Sequence, residues 1–309
     1  MKQRLNLMRS TFFFGALILL VSFSACKKDK TIVADNTING IVSSTSDFST
    51  LNSAVTKAGL ASTLGSTGPF TVFAPNNAAF TASGITSSVL AGLTADQAKA
   101  ILLYHTIPSK IMASQVPVGP NAAVTTANGG TVYVTKNANA VFINGIKVIT
   151  ADVNASNGVI HVIGNVLMPP AGNIVEMAQA NPNLSFLVAA VIRANLQGAL
   201  SGAGPLTVFA PTNTAFQAAG FPTIESIQTA DPATLVNILT YHVIGARVFS
   251  SDLTNGEQVT TLNGGKVTIG LTSGATVKGN SNASASNITA TNIVAGNGVI
   301  HLIDQVLLP

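Results

Sequence analysis

At 309 residues the chain is too long for one average core and about right for two domains once an N-terminal segment is set aside. Hydrophobic residues make up 47% and charged residues only 8%, so solubility must rest on Ser, Thr, Asn and Gly. The formal charge of +4 does not mark a nucleic-acid partner: Lys2, Arg4, Arg9, Lys27, Lys28 and Lys30 all belong to the leader, and from residue 31 onward nine basic residues face ten acidic ones, a net of −1.

The chain opens with "MKQRLNLMRSTFFFGALILLVSFSAC". A basic start, an apolar run from Phe12 to Val21 and the small residues Ser24 and Ala25 describe a secretory signal over residues 1–25, too short for the ~20 apolar residues of a spanning helix. Cys26, the only cysteine, follows directly. An exported lone thiol cannot form an internal disulfide, and the junction resembles the lipobox of bacterial lipoproteins, with Phe23 in place of the usual Leu. The resemblance implies lipid attachment at Cys26, a lipidated tether over residues 26–37, and a membrane partner through that anchor. The expected location is the cell envelope, at the outer membrane with surface exposure.

In "SDFSTLNSAVTKAGL", Phe48, Leu51, Val55 and Ala58 recur three or four residues apart and predict one face of a helix. "GPFTVFAPNNAAF" at 68–80 predicts a strand-to-helix corner: Pro75 ends the strand, Asn77 is placed to cap, and Phe80 turns inward. "TADQAKAILLYH" carries the capping-box pair Thr94 and Gln97 and runs to Tyr104-His105. Short runs such as "TVYV" and "VFIN", separated by Gly and Asn turns, predict a meander. "NGVIHVIGNVLMP" at 157–169 closes the unit, and Pro169-Pro170 marks a boundary.

The same order then returns. Leu187, Val191 and Ala194 repeat the first helical face, and "GPLTVFAPTNTAF" at 204–216 repeats the corner with Pro211, either Thr212 or Asn213 as the cap, and Phe216. Asp231-Pro232 supplies an N-cap followed by proline at the first helical position of the helix that ends at Tyr241-His242. "KVTIG" and "ATVKG" repeat the meander, and "NGVIHLIDQVLLP" closes at 297–309. Four blocks offset by 136, 137, 135 and 140 residues are two copies of a domain, over 38–169 and 170–309. Each copy is α+β. In the closing block Asn-Gly predicts a turn with positive φ. The strand after it carries Ile300, Leu302, Val306 and Leu308 on one face and Val299, His301, Ile303 and Leu307 on the other, so both faces are expected to be covered.

"TVFAPTNTAF", "YHVI" and "NGVIHLIDQVLLP", in this order and spacing, resemble the two homology blocks and the central Tyr-His of the fasciclin domain. The resemblance spans about residues 38–309 as two tandem copies. It implies a wedge or sandwich of short strands packed with several helices, and a noncatalytic role in cell-surface or matrix adhesion. It also makes Tyr104, His105, Tyr241 and His242 candidates for an adhesion surface. The first copy departs at Gly164, where the second has Asp304 and the family usually has Asp, and at Asn76, where Thr is usual. Asp304 is therefore a further adhesion candidate.

The residues favour a plainer reading of the histidines. Each Tyr-His closes a helix with the ring in the core, and His161 and His301 lie on apolar strand faces where a neutral imidazole needs only a hydrogen-bond partner. No catalytic motif is present, and four histidines without a spare cysteine make a poor metal set, so no enzyme, metal or cofactor is expected. The ligand is expected to be a surface protein or a glycan. Weak polysaccharide binding and a small apolar-ligand pocket are the alternatives to matrix adhesion; sugars usually require aromatic platforms, and only Tyr133 lies outside a Tyr-His pair.

Overall fold

The computed structural model describes residues 35–138 and 140–309. The expected signal peptide, Cys26 and nearly all of the expected tether lie outside the described residues. Asp35–Pro309 forms one compact unit with its own apolar cores, and so holds what it needs to fold without the leader.

The first repeat begins with α1 (Ile38–Ser44), α2 (Ser49–Lys57) and α3 (Ala61–Gly65), followed by β1 (Phe70–Pro75), α4 (Asn77–Ala82), α5 (Ser87–Gly92) and α6 (Ala95–Tyr104). A two-residue strand β2 (Thr106–Ile107) leads to the meander β3 (Gly119–Thr125), β4 (Thr131–Lys136), β5 (Val141–Ile143), β6 (Ile146–Ala155) and β7 (Gly158–Ile163). The second repeat copies this order with α7 (Ile174–Gln179), α8 (Ser185–Arg193), α9 (Gln197–Ser201), β8 (Leu206–Pro211), α10 (Asn213–Ala218), α11 (Ile224–Gln228) and α12 (Pro232–Tyr241). It ends with β9 (Val243–Ile244), β10 (Gln258–Thr260), β11 (Lys266–Gly270), β12 (Thr276–Lys278), β13 (Ser286–Ala295) and β14 (Gly298–Ile303).

Such short helices need their ends satisfied. Thr94 Oγ1 accepts from the Gln97 N–H while Gln97 Oε1 accepts from the Thr94 N–H, and Asp231 accepts from the Thr234 N–H. Each such cap is worth about 1 kcal/mol. Phe48 lies in a single 3-10 turn just before α2 rather than inside the helix, and its ring is buried with Leu51, Val55 and Ala58.

Each repeat holds one seven-stranded sheet, in the order β2-β1-β7-β6-β5-β4-β3 and its copy β9-β8-β14-β13-β12-β11-β10. The meander is antiparallel, but β1 pairs with β7 in parallel, with Val72 opposite Ile160 and Phe73 opposite His161. Parallel pairing needs a long crossover, here everything between the two motifs of one repeat. The two blocks most alike between the copies are thus hydrogen-bonded neighbours at the heart of each sheet.

The sheet has a core on each side. Val72, Ala74, Ile160 and Val162 face the helices with Leu51, Val55 and Leu102, while Phe73 and Ile163 face the inside of the curled sheet with Tyr104, Val132 and Ile143. This period-two division explains why every residue of β7 is buried.

Two expectations for the closing block need correction. The strand stops at Ile303, so Leu308 does not continue a covered face but lies in irregular chain and is 38% exposed. Neither Asn157-Gly158 nor Asn297-Gly298 takes a positive φ. The glycines are needed for close approach instead: a Cβ on Gly158 would lie 2.1 Å from the Phe70 carbonyl oxygen, and one on Gly298 at 2.1 Å from that of Leu206.

Candidate functional site

The Tyr-His pairs are at the centre of each repeat, not on a surface. Tyr104, His105, Tyr241 and His242 are each no more than 1% exposed, so the fold closes direct contact to these four of the five adhesion candidates. At the last turn of α6 the His105 ring reaches back, Nδ1 donating to the Ile101 carbonyl at 2.8 Å. Its Nε2 accepts the Leu167 N–H at 2.9 Å. His242 repeats this between Ile238 and Leu307 at 2.8 Å on both sides. Each imidazole therefore bolts a helix end to the segment after the last strand. Burial, opposed by the carbonyl hydrogen bond, lowers both pKa values from 6.5 to about 4, so both rings are neutral at pH 7. The tyrosines tie the helix to the meander: Tyr104 donates to the Thr131 carbonyl and accepts from Asn144, and Tyr241 donates to the Lys266 carbonyl and accepts the Asn280 N–H. Burial raises the Tyr104 pKa.

His161 and His301 hold the bulges of β6 and β13. Asp152 and Asn292 both adopt φ of 61° there, a left-handed conformation that polar residues tolerate best. Their N–H groups point at the imidazole Nδ1, 3.2 Å from His161 and 3.4 Å from His301. On the far side Nε2 donates to the Ile111 carbonyl at 2.8 Å and to the Val248 carbonyl at 2.9 Å. Both ring nitrogens are thus spent on backbone. Burial lowers the His301 pKa, offset in part by its Val248 bond.

In the strand-to-helix corner the cap is the residue directly after the proline, which agrees with Thr212 as one of the two residues read for the second copy and moves the first copy's cap from Asn77 to Asn76. Asn76 and Thr212 cap α4 and α10, while Asn77 and Asn213 reach across to the neighbouring helices. Asn77 accepts the Thr50 N–H and donates to the Ser46 carbonyl; Asn213 accepts the Phe186 N–H and donates to the Pro182 carbonyl. Pro75 and Pro211 end β1 and β8, and Phe80 and Phe216 are buried. The sequence reading missed Asn157 and Asn297. Each accepts the first N–H of its repeat's leading helix, Ile38 or Ile174, and donates to two carbonyls, Leu64 and Ser66 or Leu200 and Gly202. Their place in "NGVIH" in both copies was the available signal.

Asp304 is half-buried and inward-bonded. It accepts from Ser286 Oγ at 2.9 Å, from the Asn287 N–H at 2.7 Å and from Asn287 Nδ2 at 2.6 Å. Burial raises its pKa, but the Asn287 and Ser286 hydrogen bonds together outweigh that and leave it below the usual carboxylate value. In the first repeat the Gly164 N–H makes a backbone bond to Lys147 at the equivalent position.

The repeats meet through β3 and β4 on one side and the segment after β9 on the other. The Arg247 guanidinium lies 4.1 Å above the Tyr133 ring, and Phe249 packs beside that ring at 6.1 Å. Asp252 accepts from Thr135 Oγ1 at 2.9 Å and from Asn121 Nδ2 at 3.2 Å. Burial lowers the Arg247 pKa, with the tyrosines opposing it. Tyr133, the one tyrosine open to a sugar-platform reading, is thus covered by an arginine.

The first repeat also encloses a cavity of about 340 Å³ between the curled sheet and the segment after β2. Its walls include Phe73, Ile107, Val134, Ile143 and Val148, with Lys110 at its margin. Among the described residues no three His, Asp or Glu side chains converge as a metal would require.

This architecture is that of a fasciclin domain repeated in tandem. The fasciclin domain family matches residues 46–169 and 182–309, and the chain belongs to it. It is 44% identical over 149 residues to "Protein sll1483" of Synechocystis, covering 48% of this chain and 79% of that one. It is 31% identical over 247 residues to human periostin and 28% identical over 245 residues to the pig transforming growth factor-beta-induced protein ig-h3, each match covering 78% of this chain. The chain spans only 28% of periostin and 35% of ig-h3. Among solved structures it is similar to a FAS1 domain pair from the insect cell adhesion molecule Fasciclin I, with a TM-score of 0.42 and 19% identity, over 85% of this chain and 97% of that one.

Proposed function

We propose that the protein is a noncatalytic adhesion or matrix-binding module, held at the outer surface of the cell envelope by acylated Cys26 and touching its partner through exposed, weakly charged loops. The observation that carries this reading is the fasciclin match in both halves, because fasciclin domains occur in cell-adhesion proteins such as fasciclin I. Since the Tyr-His pairs are buried, contact falls to positions such as Val118, 80% exposed, and Leu262, 52% exposed. Two weak contacts on one chain gain avidity when a partner presents both sites.

Two experiments test it. Cys26→Ser should move the protein from the membrane fraction to the soluble one; unchanged fractionation defeats the anchor. Residues 35–309 should bind saturably to a matrix protein or to whole cells in a screen that includes glycans. Binding to glycans alone would make polysaccharide the partner, and substrate turnover without binding would overturn the adhesion reading.

A further inference from the structure

We propose that the cavity of the first repeat is a binding site for a single-chain amphiphile with an anionic head, such as a medium-chain carboxylate. At about 340 Å³ it falls within the ~300–1,000 Å³ of small-molecule sites. A void lined by Phe73, Ile107, Ile111, Val124, Val134 and Val148 forfeits dispersion contacts that a hydrocarbon chain would restore.

The polar groups in the wall do not invite a sugar. His161 spends Nε2 on the Ile111 carbonyl and Nδ1 on the Asp152 N–H. Thr71 Oγ1 donates to the Ser109 carbonyl at 2.6 Å and accepts the Ile111 N–H at 2.8 Å. What the wall offers a ligand is therefore mainly apolar. The exceptions are Gln115, exposed and accepting the Met112 N–H through Oε1 at 2.8 Å, and Lys110, exposed at the margin and also lining an adjacent open groove with Thr67, Ser156 and Asn157. Its Nζ reaches Asn154 Oδ1 at 3.4 Å, and no acidic side chain pairs with it among the described residues. A chain in the cavity with its anion directed to that groove satisfies the apolar wall and the ammonium together.

Ala113, Gln115, Val116 and Pro117 form one wall of the cavity. This segment is tied down by Lys136 Nζ, which donates to the Ala113 carbonyl at 2.9 Å and the Val116 carbonyl at 3.2 Å, and it leaves Pro117 and Val118 in solvent. In the second repeat the position of Lys110 belongs to Arg247, already committed to Tyr133 and to the Gly298 carbonyl, and that of Val116 belongs to the larger, buried Leu253. The site is thus assigned to the first repeat alone, independently of the adhesion reading.

Calorimetric titration of residues 35–309 with dodecanoate, below its micelle concentration, tests this. One saturable site is expected, with amide shifts confined to Ile111, Val124, Val148 and their neighbours. Lys110→Ala should weaken dodecanoate about three- to fivefold, as loss of an exposed charge contact does, and leave dodecan-1-ol unaffected. Val124→Phe, which fills the cavity, should abolish both ligands; if it unfolds the repeat, shift mapping on the unaltered protein decides. Absence of saturable binding, shifts in the second repeat, or equal affinity for dodecyltrimethylammonium would overturn the proposal.

Discussion

The segment that follows β2 and the one that follows β9 start from the same scaffold and end in different surroundings. In both, a histidine of the closing strand accepts a bulge N–H and donates to a carbonyl of the segment, Ile111 in one and Val248 in the other. Around that point the second segment has Arg247, Phe249 and Asp252, all engaged on Tyr133, Thr135 and Asn121 of the first repeat. Its counterpart has Lys110, Met112 and Gln115, covers a cavity, and turns Val118 to solvent. The two copies share the hydrogen-bonded frame and differ in the segment it holds: one packs between the repeats, the other lines a cavity.

The contrast is most exposed to test in the cores beneath. Phe209 is fully buried, whereas Phe73 forms a wall of the cavity. Phe209→Ala should cost about 3–5 kcal/mol, and Phe73→Ala about 1 kcal/mol less because part of its contact surface is already vacant; denaturant unfolding of the two variants measures the gap, and equal losses would mean that the cavity does not soften the first core.

pH should show the opposite, a shared property. His105 and His242 titrate near 4 when folded and near 6.5 when unfolded, so between those values the unfolded chain holds more protons. Their contribution to stability should therefore be full above about 6.5, be lost as pH drops towards 4, and level off below, by on the order of 3 kcal/mol per histidine. Thermal melts from pH 7.5 to 3.5 check this, and His105→Gln and His242→Gln should each remove a comparable share of the slope, with the buried His301 supplying part of the remainder. A slope that only one of them removes would break the symmetry.

Asp304 and Gly164 sharpen the comparison at smaller cost. Asp304→Ala should destabilise by about 1–2 kcal/mol through the unsatisfied Ser286 and Asn287 donors. The reciprocal Gly164→Asp should be nearly neutral in thermal melts, since an added Cβ meets nothing closer than 3.7 Å. Arg247→Ala is expected to cost about 1–2 kcal/mol from the lost ring contact and the lost Gly298 hydrogen bond. It should also raise hydrogen exchange at Tyr133 and Phe249 while leaving the Tyr-His regions protected.

Much of the fold could be read from the chain because its signals are local. The caps at Thr94 and Asp231, the corners at Pro75 and Pro211 and the apolar helix faces each follow from a few adjacent residues. The site was less legible. Tyr-His suggested a surface through family resemblance, yet the rings are consumed by carbonyls four residues back and N–H groups more than sixty residues on. Glycine after asparagine suggested a left-handed turn, yet the reason for glycine lies on another strand, in the carbonyls of Phe70 and Leu206.

By itself, then, the sequence determined the duplication, the α+β class and the family, because repeats, periodicity and caps are properties of neighbouring residues. Only the tertiary structure decided that β1 pairs in parallel with β7, that Asn157 and Asn297 tie the ends of each repeat together, and that one segment seals an interface while its twin covers a cavity. Those outcomes depend on which distant groups a fold brings within hydrogen-bonding and van der Waals reach, and no window along the chain contains both partners.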